Sequence, residues 1–260
     1  MSTCLDQHQI GVSRRRLVQG CAVTGVLSAA RVREAAAEDT VSGSVTVGGT
    51  AWPLPPGPWR RIVFDKRNRL VLPADNVYAV TEIHVLAQAS GDRIGMVKTI
   101  VHARPLGNST VRIVGPRETP RGYCDQEGSL AVLSLRADDA ARSCGKVTAL
   151  PGLAVTRLSG EFGGGIRKAW EQRALPAVIF DLRSFLFGRE GQAEAHLMIN
   201  PEAWGMQPDH RPWVSSAWNP ANGSMRHIAF LRRVQTYFET VHRSLDAVFI
   251  DRRSAVLPAF

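Results

Sequence analysis

The apolar pattern changes period twice along this chain. From Val41 the period is two: Val41, Val45 and Val47 alternate with Ser, Thr and Gly, and Gly48-Gly49 supplies a turn. Ala51-Trp52-Pro53-Leu54-Pro55-Pro56-Gly57-Pro58-Trp59 interrupts it, because proline favours extended backbone and cannot donate to a ladder. Two tryptophans on so stiff a loop are expected to tuck over a sheet, and Ile62 to Phe64 resumes as a strand. Val77 to Ala87 is rich in β-branched residues, Ser90-Gly91-Asp92 turns the chain, and Ile94 to His102 runs back as a β-hairpin. Thr110 to Val114 and Leu130 to Leu135 read as short strands, with a Pro- and Gly-rich loop from Gly115 to Gly122 between them.

Gly160 to Gly165, four glycines interrupted only by Glu161 and Phe162, reads as a connector ahead of a short helix, Ile166 to Leu175, which Pro176 stops. Ala177 to Phe187 and Ala193 to Ile199 are strands joined by Gly188-Arg189-Glu190-Gly191. Asn200 to Gly223 lacks clean periodicity and carries Trp204, Trp213 and Trp218; loops of that length inside a domain are often functional. The period then becomes helical. Ile228, Leu231, Val234, Phe238, Val241 and Leu245 recur at spacings of three and four, with Ser224 placed to cap the start and Glu239 and Arg243 on the wet side. The predicted fold is α+β: an antiparallel, β-rich domain over 38–260 with a long C-terminal amphipathic helix packed on the sheet. A division into two lobes near 160–165 is the alternative.

The first 37 residues follow neither period. Ser13-Arg14-Arg15-Arg16-Leu17-Val18 leads into an apolar segment, Leu17 to Ala30, broken by Gln19, Gly20, Thr24, Gly25 and Ser28, and Ala35 and Ala37 stand ahead of Glu38. This order of parts resembles the twin-arginine export signal of bacteria, an address read by a receptor. The resemblance implies passage through the twin-arginine translocase, cleavage between Ala37 and Glu38, and a mature protein in the periplasm or secreted. A membrane-spanning helix needs about 20 apolar residues. The run here is shorter and spotted with polar residues, so no transmembrane segment is expected in the mature form.

That reading changes the meaning of charge and cysteine. The formal charge is +9, the leader carries five Arg against two acidic residues, and so about +6 stays with the mature part. The cations are scattered in pairs (Arg60-Arg61, Lys66-Arg67, Arg232-Arg233, Arg252-Arg253), with no run that would mark a nucleic-acid tail. In a bacterial envelope, such a surface would favour anionic lipid or acidic glycan through long-range attraction. Cys4 and Cys21 leave with the leader. Cys124 and Cys144 remain, a pair expected to form one disulfide in an oxidising compartment. Two cysteines with no partners at ligand spacing do not make a zinc set.

Named chemistries are mostly excluded. The glycine cluster lacks the phosphate-loop and dinucleotide patterns, so no nucleotide cofactor is expected. There is no Gly-x-Ser-x-Gly, Ser-x-x-Lys or His-Glu-x-x-His. Glu82 and His84 share a strand face, with His102 on the returning strand. A two-residue turn sets His84 opposite Val97 and turns His102 to the other face; a three-residue turn pairs His102 with Val80. Neither register makes a three-ligand cluster, so no metal is expected. The most suggestive residues are Asp209, His210, Arg211, Trp213 and Trp218, aromatic faces beside charged groups of the kind that anchor ligands and partners.

Trp-x-Leu-Pro-x-Gly-x-Trp, Trp52 to Trp59 here, resembles the opening of exported proteobacterial proteins with a β-rich first half, a likeness that transfers no catalytic residue. The sequence thus points to an exported, non-enzymatic module without cofactor, binding an envelope protein, a glycan or anionic lipid. The rival is a cofactor-independent hydrolase drawing acid and base from Glu82, His84, Asp209 and His210.

Overall fold

Period-two alternation, repeated in strand after strand, yields an eight-stranded sheet in which every pairing is antiparallel. In chain order its strands are β1 (Thr40–Val41), β4 (Trp59–Leu72), β5 (Val77–Ser90), β6 (Arg93–Pro105), β7 (Ala131–Ala137), β8 (Arg142–Pro151), β9 (Val178–Gly188) and β10 (Gly191–Ile199). They lie in the order β1-β4-β5-β6-β10-β9-β8-β7, and β2 (Ser44–Val47) with β3 (Thr50–Pro53) forms a separate hairpin. The computed structural model describes residues 40–72, 77–105, 124, 128–138, 141–157, 160–171, 174–188 and 191–260. The leader, with Arg14, Arg15, Ala35, Ala37 and Glu38, lies outside them, as do Cys4, Cys21, the strand expected over Thr110–Val114, the loop from Gly115 to Gly122, and Arg189-Glu190.

The helices follow from the two sheet faces. Phe180, Leu182, Leu186, Ala193, Ala195 and Leu197 point to one face, where α3 (Met225–Phe249) presents Leu231, Val234, Phe238, Val241 and Leu245. Gly145 of β8 lets that helix come close: a Cβ there would sit 2.8 Å from Phe238 Cε2. The fold is therefore α+β, an antiparallel sheet with a long C-terminal helix packed on it. Ser224 stands at the expected N-cap position with extended backbone, but its hydroxyl bonds His227 Nδ1 at 2.8 Å and makes no cap bond. Trp52 and Trp59 are completely buried on this same face, as the proline-rich loop led one to expect.

The opposite face holds α1 (Gly152–Thr156) and α2 (Gly160–Glu171), with Ile166, Ala169 and Trp170 buried among Ile62, Val85 and Val97. Here one expectation is overturned. The glycine cluster is not a connector; it is the first half of α2. A Cβ on Gly165 would meet Val85 Cγ2 at 2.8 Å and Val63 Cγ2 at 3.1 Å. The missing side chain is what lets the helix lie on β4 and β5, and that close approach outweighs the poor helix propensity of glycine. β6 from the first half of the chain pairs with β10 from the second, so one sheet runs through both.

Three further differences have physical causes. β8 had no period-two signal, since Ser143, Cys144, Gly145 and Lys146 are polar or small yet buried consecutively, each face having its own partners. β4 runs past Phe64 to Leu72. The β5–β6 hairpin does turn at Gly91-Asp92, but a bulge between Gln88 and Ala89 shifts its register so that Glu82 faces His102 and His84 faces Ile100. Both registers expected from turn length alone are thus wrong, and Glu82, His84 and His102 share one face. Cys124 and Cys144 are disulfide-bonded, with Cα atoms 6.2 Å apart, tying residue 124 to β8 beside Phe185.

Candidate functional site

The long stretch after β10 is ordered by its own polar groups. Asn200 is fully buried; its amide donates to the Ile94 carbonyl at 2.8 Å, and its side-chain oxygen accepts from Glu202 N at 2.9 Å, opening a 3₁₀ turn, Pro201–Trp204. Glu202 then takes the Ala177 amide at 2.7 Å and the Arg93 guanidinium, fixing the chain just ahead of β9. Asp209 organises the next turn. Its carboxylate accepts five hydrogen bonds: Arg211 N and Nε on one oxygen, and Arg211 Nη2, Ser216 Oγ and Ala217 N on the other, at 2.6–3.1 Å. The Arg211 bonds hold its pKa far below the usual carboxylate range, against the opposing effect of burial. Asn222 closes the segment by donating to the Val214 carbonyl at 2.7 Å.

This ordered loop and the ends of two strands enclose a cavity of about 580 Å³. Its floor and one wall are Leu150 and Pro151 at the end of β8, Leu153 of α1, and Leu175 to Val178 leading into β9. The other wall is Asp209, His210, Arg211, Pro212, Trp213 and Ser216. Of the lining residues, Leu153 is 70% exposed and Trp213 43%, so apolar side chains stand at the mouth. Four of the five residues singled out in the sequence therefore line one cavity. The fifth does not. Trp218 is buried, edge-on to Phe180 at 5.0 Å and His227 at 4.8 Å, and belongs to the core beneath α3. The cavity walls from β8 and β9 carry no sequence signal, being ordinary apolar residues that only the strand order brings together.

Elsewhere the acid–base candidates are separated. Glu82 accepts from Gly48 N at 2.9 Å and lies 3.6 Å from His84, beneath the β2–β3 hairpin. His102 is buried with Nδ1 donating to the Val47 carbonyl at 3.1 Å. A Cβ on Gly48, whose φ is +60°, would strike that ring at 2.0 Å, so only glycine serves there. In the sheet order, β6 and β10 stand between β5, which carries Glu82 and His84, and the β9 and β8 ends that line the cavity with Asp209 and His210. The four do not form one constellation. Among the described residues, no three His, Cys, Asp or Glu side chains are grouped to hold a metal ion, and no helix is long and apolar enough to cross a membrane.

A buried ionic network went unseen in the sequence. Lys146, Arg183, His196 and Thr99 oppose one another in register across β8, β9, β10 and β6, on the face away from α3. His196 Nδ1 lies 3.0 Å from Asp181 Oδ1 and its Nε2 2.8 Å from Glu194 Oε1; Arg183 Nη2 reaches Asp181 at 3.1 Å. Burial disfavours charge on the ring, but Asp181 and then Glu194 outweigh it and raise the His196 pKa. With a carboxylate at each nitrogen the ring is a charge lock rather than a general base. Sheet register alone creates it, since these residues are 11 or more positions from one another except within each strand.

Comparison of the chain with family models, with curated proteins and with solved structures returned no match.

Proposed function

We propose that this protein is an exported binding module whose ligand site is the cavity between the β8–β9 ends and the loop over 209–216. One observation carries the reading: an apolar well of about 580 Å³ opens beside an exposed tryptophan, in the size range of small-molecule sites. The polar residues around it serve binding better than catalysis. Asp209 has no lone pair left for a proton, because five donors fill its oxygens. The twin-arginine resemblance of the leader supports a location outside the cytoplasm, and the Cys124–Cys144 bond is compatible with an oxidising compartment.

Titration of the purified protein with an environment-sensitive apolar fluorophore such as anilinonaphthalene sulfonate tests the reading. Saturable binding is expected, weakened by Trp213→Ala and abolished by Leu153→Asp, both with unchanged melting. Equal binding to all three proteins would refute it. For the address, Arg14→Lys with Arg15→Lys is expected to leave uncut precursor in the cytoplasm; normal export of that variant would refute the twin-arginine assignment.

A further inference from the structure

Among the described residues, the side chains that line the cavity offer hydrogen-bond donors almost alone. Arg211 uses Nε and Nη2 on Asp209, and its Nη1 bonds to none of the described residues. Its side chain is 58% exposed, and Arg211 lines the cavity. The indole Nε1 of Trp213 likewise has no partner among the described residues, and an indole can only donate. Among the described residues, Asp209 is the one carboxylate lining the cavity, and it is filled. The Ser216 hydroxyl is engaged twice, donating to Asp209 at 2.9 Å and accepting from Trp218 N at 3.1 Å. Among the described lining side chains, only the exposed ring of His210 can present either a donor or an acceptor.

We infer that the cavity takes a single amphiphile with an apolar tail and a carboxylate head, the tail in the Leu150–Leu153–Val178 well and the head on Arg211 Nη1 beside Trp213. This rests on the cavity being a ligand site at all. The head must accept hydrogen bonds, and a charged acceptor gains most from a guanidinium held in a fixed plane by a second carboxylate. Among the described residues an ammonium head would find only Asp209, whose oxygens have no capacity left. The net charge of about +6 that stays with the mature part also favours an anion at long range. The exposed indole face of Trp213 is the one feature that would welcome a cation, so a cationic arm belongs in the test.

Binding of dodecanoate, dodecanol and dodecyltrimethylammonium, each below its micelle concentration, is measured by calorimetry on the full chain at one pH and ionic strength. Dodecanoate is expected to bind about ten- to hundredfold more tightly than dodecanol, as a charge-assisted hydrogen bond implies. Arg211→Gln should remove that preference while dodecanol binding stays. Should Arg211→Gln fail to fold, the preference in the unaltered protein must instead shrink as salt rises from 0.05 to about 0.5 M, as an exposed ion contact requires. Equal binding of acid and alcohol, or preference for the ammonium, overturns the inference and leaves the cavity reading standing. No binding by any of the three overturns both. Adsorption to phosphatidylglycerol vesicles without binding of free dodecanoate also overturns it, and places the contact on a lipid surface instead.

Discussion

Asp209 and Arg211, two residues apart, close on each other through Nε···Oδ1 at 2.8 Å and Nη2···Oδ2 at 3.0 Å, although the carboxylate is buried and the guanidinium largely exposed. The pair faces two ways. Inward, the carboxylate also gathers Ser216 and the Ala217 amide and gives the loop its shape; outward, Arg211 lines the cavity. Asp209→Ala removes the common acceptor of five bonds and leaves buried donors unsatisfied. The expected loss is about 1–3 kcal/mol in urea unfolding at pH 7, together with loss of probe binding. Because the folded pKa is depressed, this contribution is full above the unfolded carboxylate value of about 4 and disappears only as strong acid reaches the folded value.

The two tryptophans of the loop are expected to separate cleanly. Trp218→Ala empties a fully enclosed site against Phe180 and Phe230 and should lower stability by about 3–5 kcal/mol. Trp213→Ala should change it by no more than about 0.5 kcal/mol, as for other surface substitutions. Paired thermal melts decide; similar losses for both variants would mean that Trp213 is part of the core.

Lys98 lies wholly buried between Leu86 and Leu197, and its Nζ has no hydrogen-bond partner among the described residues. Burial lowers its pKa to about 7. The unfolded chain therefore binds this proton more tightly, so the destabilisation is full below about pH 7 and fades as pH rises toward the unfolded value of 10.5. Lys98→Met should stabilise the protein at pH 6 by several kcal/mol, on the order of 5 at most, with the gain shrinking toward pH 10. Denaturation of both proteins at pH 6 and 9.5 measures it; a difference independent of pH would show that the amine is solvated in the fold.

The Asp181–His196–Glu194 network has the opposite dependence. The raised pKa of His196 gives stability that is full below its unfolded value of about 6.5 and lost as pH rises through the folded one. The depressed pKa values of Asp181 and Glu194 give stability present above about 4 and lost on further acidification. The network is thus strongest at about pH 4.5–6.5. Asp181→Asn should cost about 3–5 kcal/mol there, the usual penalty for stranding a buried charge. The His196 imidazole titration read by NMR should fall toward its ordinary value in that variant, which a purely steric effect would not produce.

What the sequence revealed and what it hid divide along a physical line. The β5–β6 hairpin was legible because a dense run of β-branched residues bounded by Ser90-Gly91-Asp92 reads as a strand and turn, and α3 because its Leu231–Leu245 stripe buries one side against the sheet. β8 was not, because Ser143 meets His242 on one face while Lys146 meets Arg183 on the other, and neither need is apolar. The start of α2 was hidden because Gly165 is selected by Val63 and Val85 of the sheet, not by its helical neighbours. For the site, Asp209 to Trp213 stood out as charged and aromatic residues without a period. Leu150 to Leu153 and Leu175 to Val178 did not, since only the pairing of β8 with β9 brings them side by side.

The cavity itself is tested most directly by the indole N–H resonances of the six tryptophans during titration with dodecanoate. Trp52, Trp59, Trp170 and Trp218 are all buried to within 1% and Trp213 stands at the mouth. The Trp213 signal is predicted to shift progressively and saturate while those four stay in place. A Trp213 signal that does not move while ligand binds, or a common shift of all the indoles, would contradict the placement of the site.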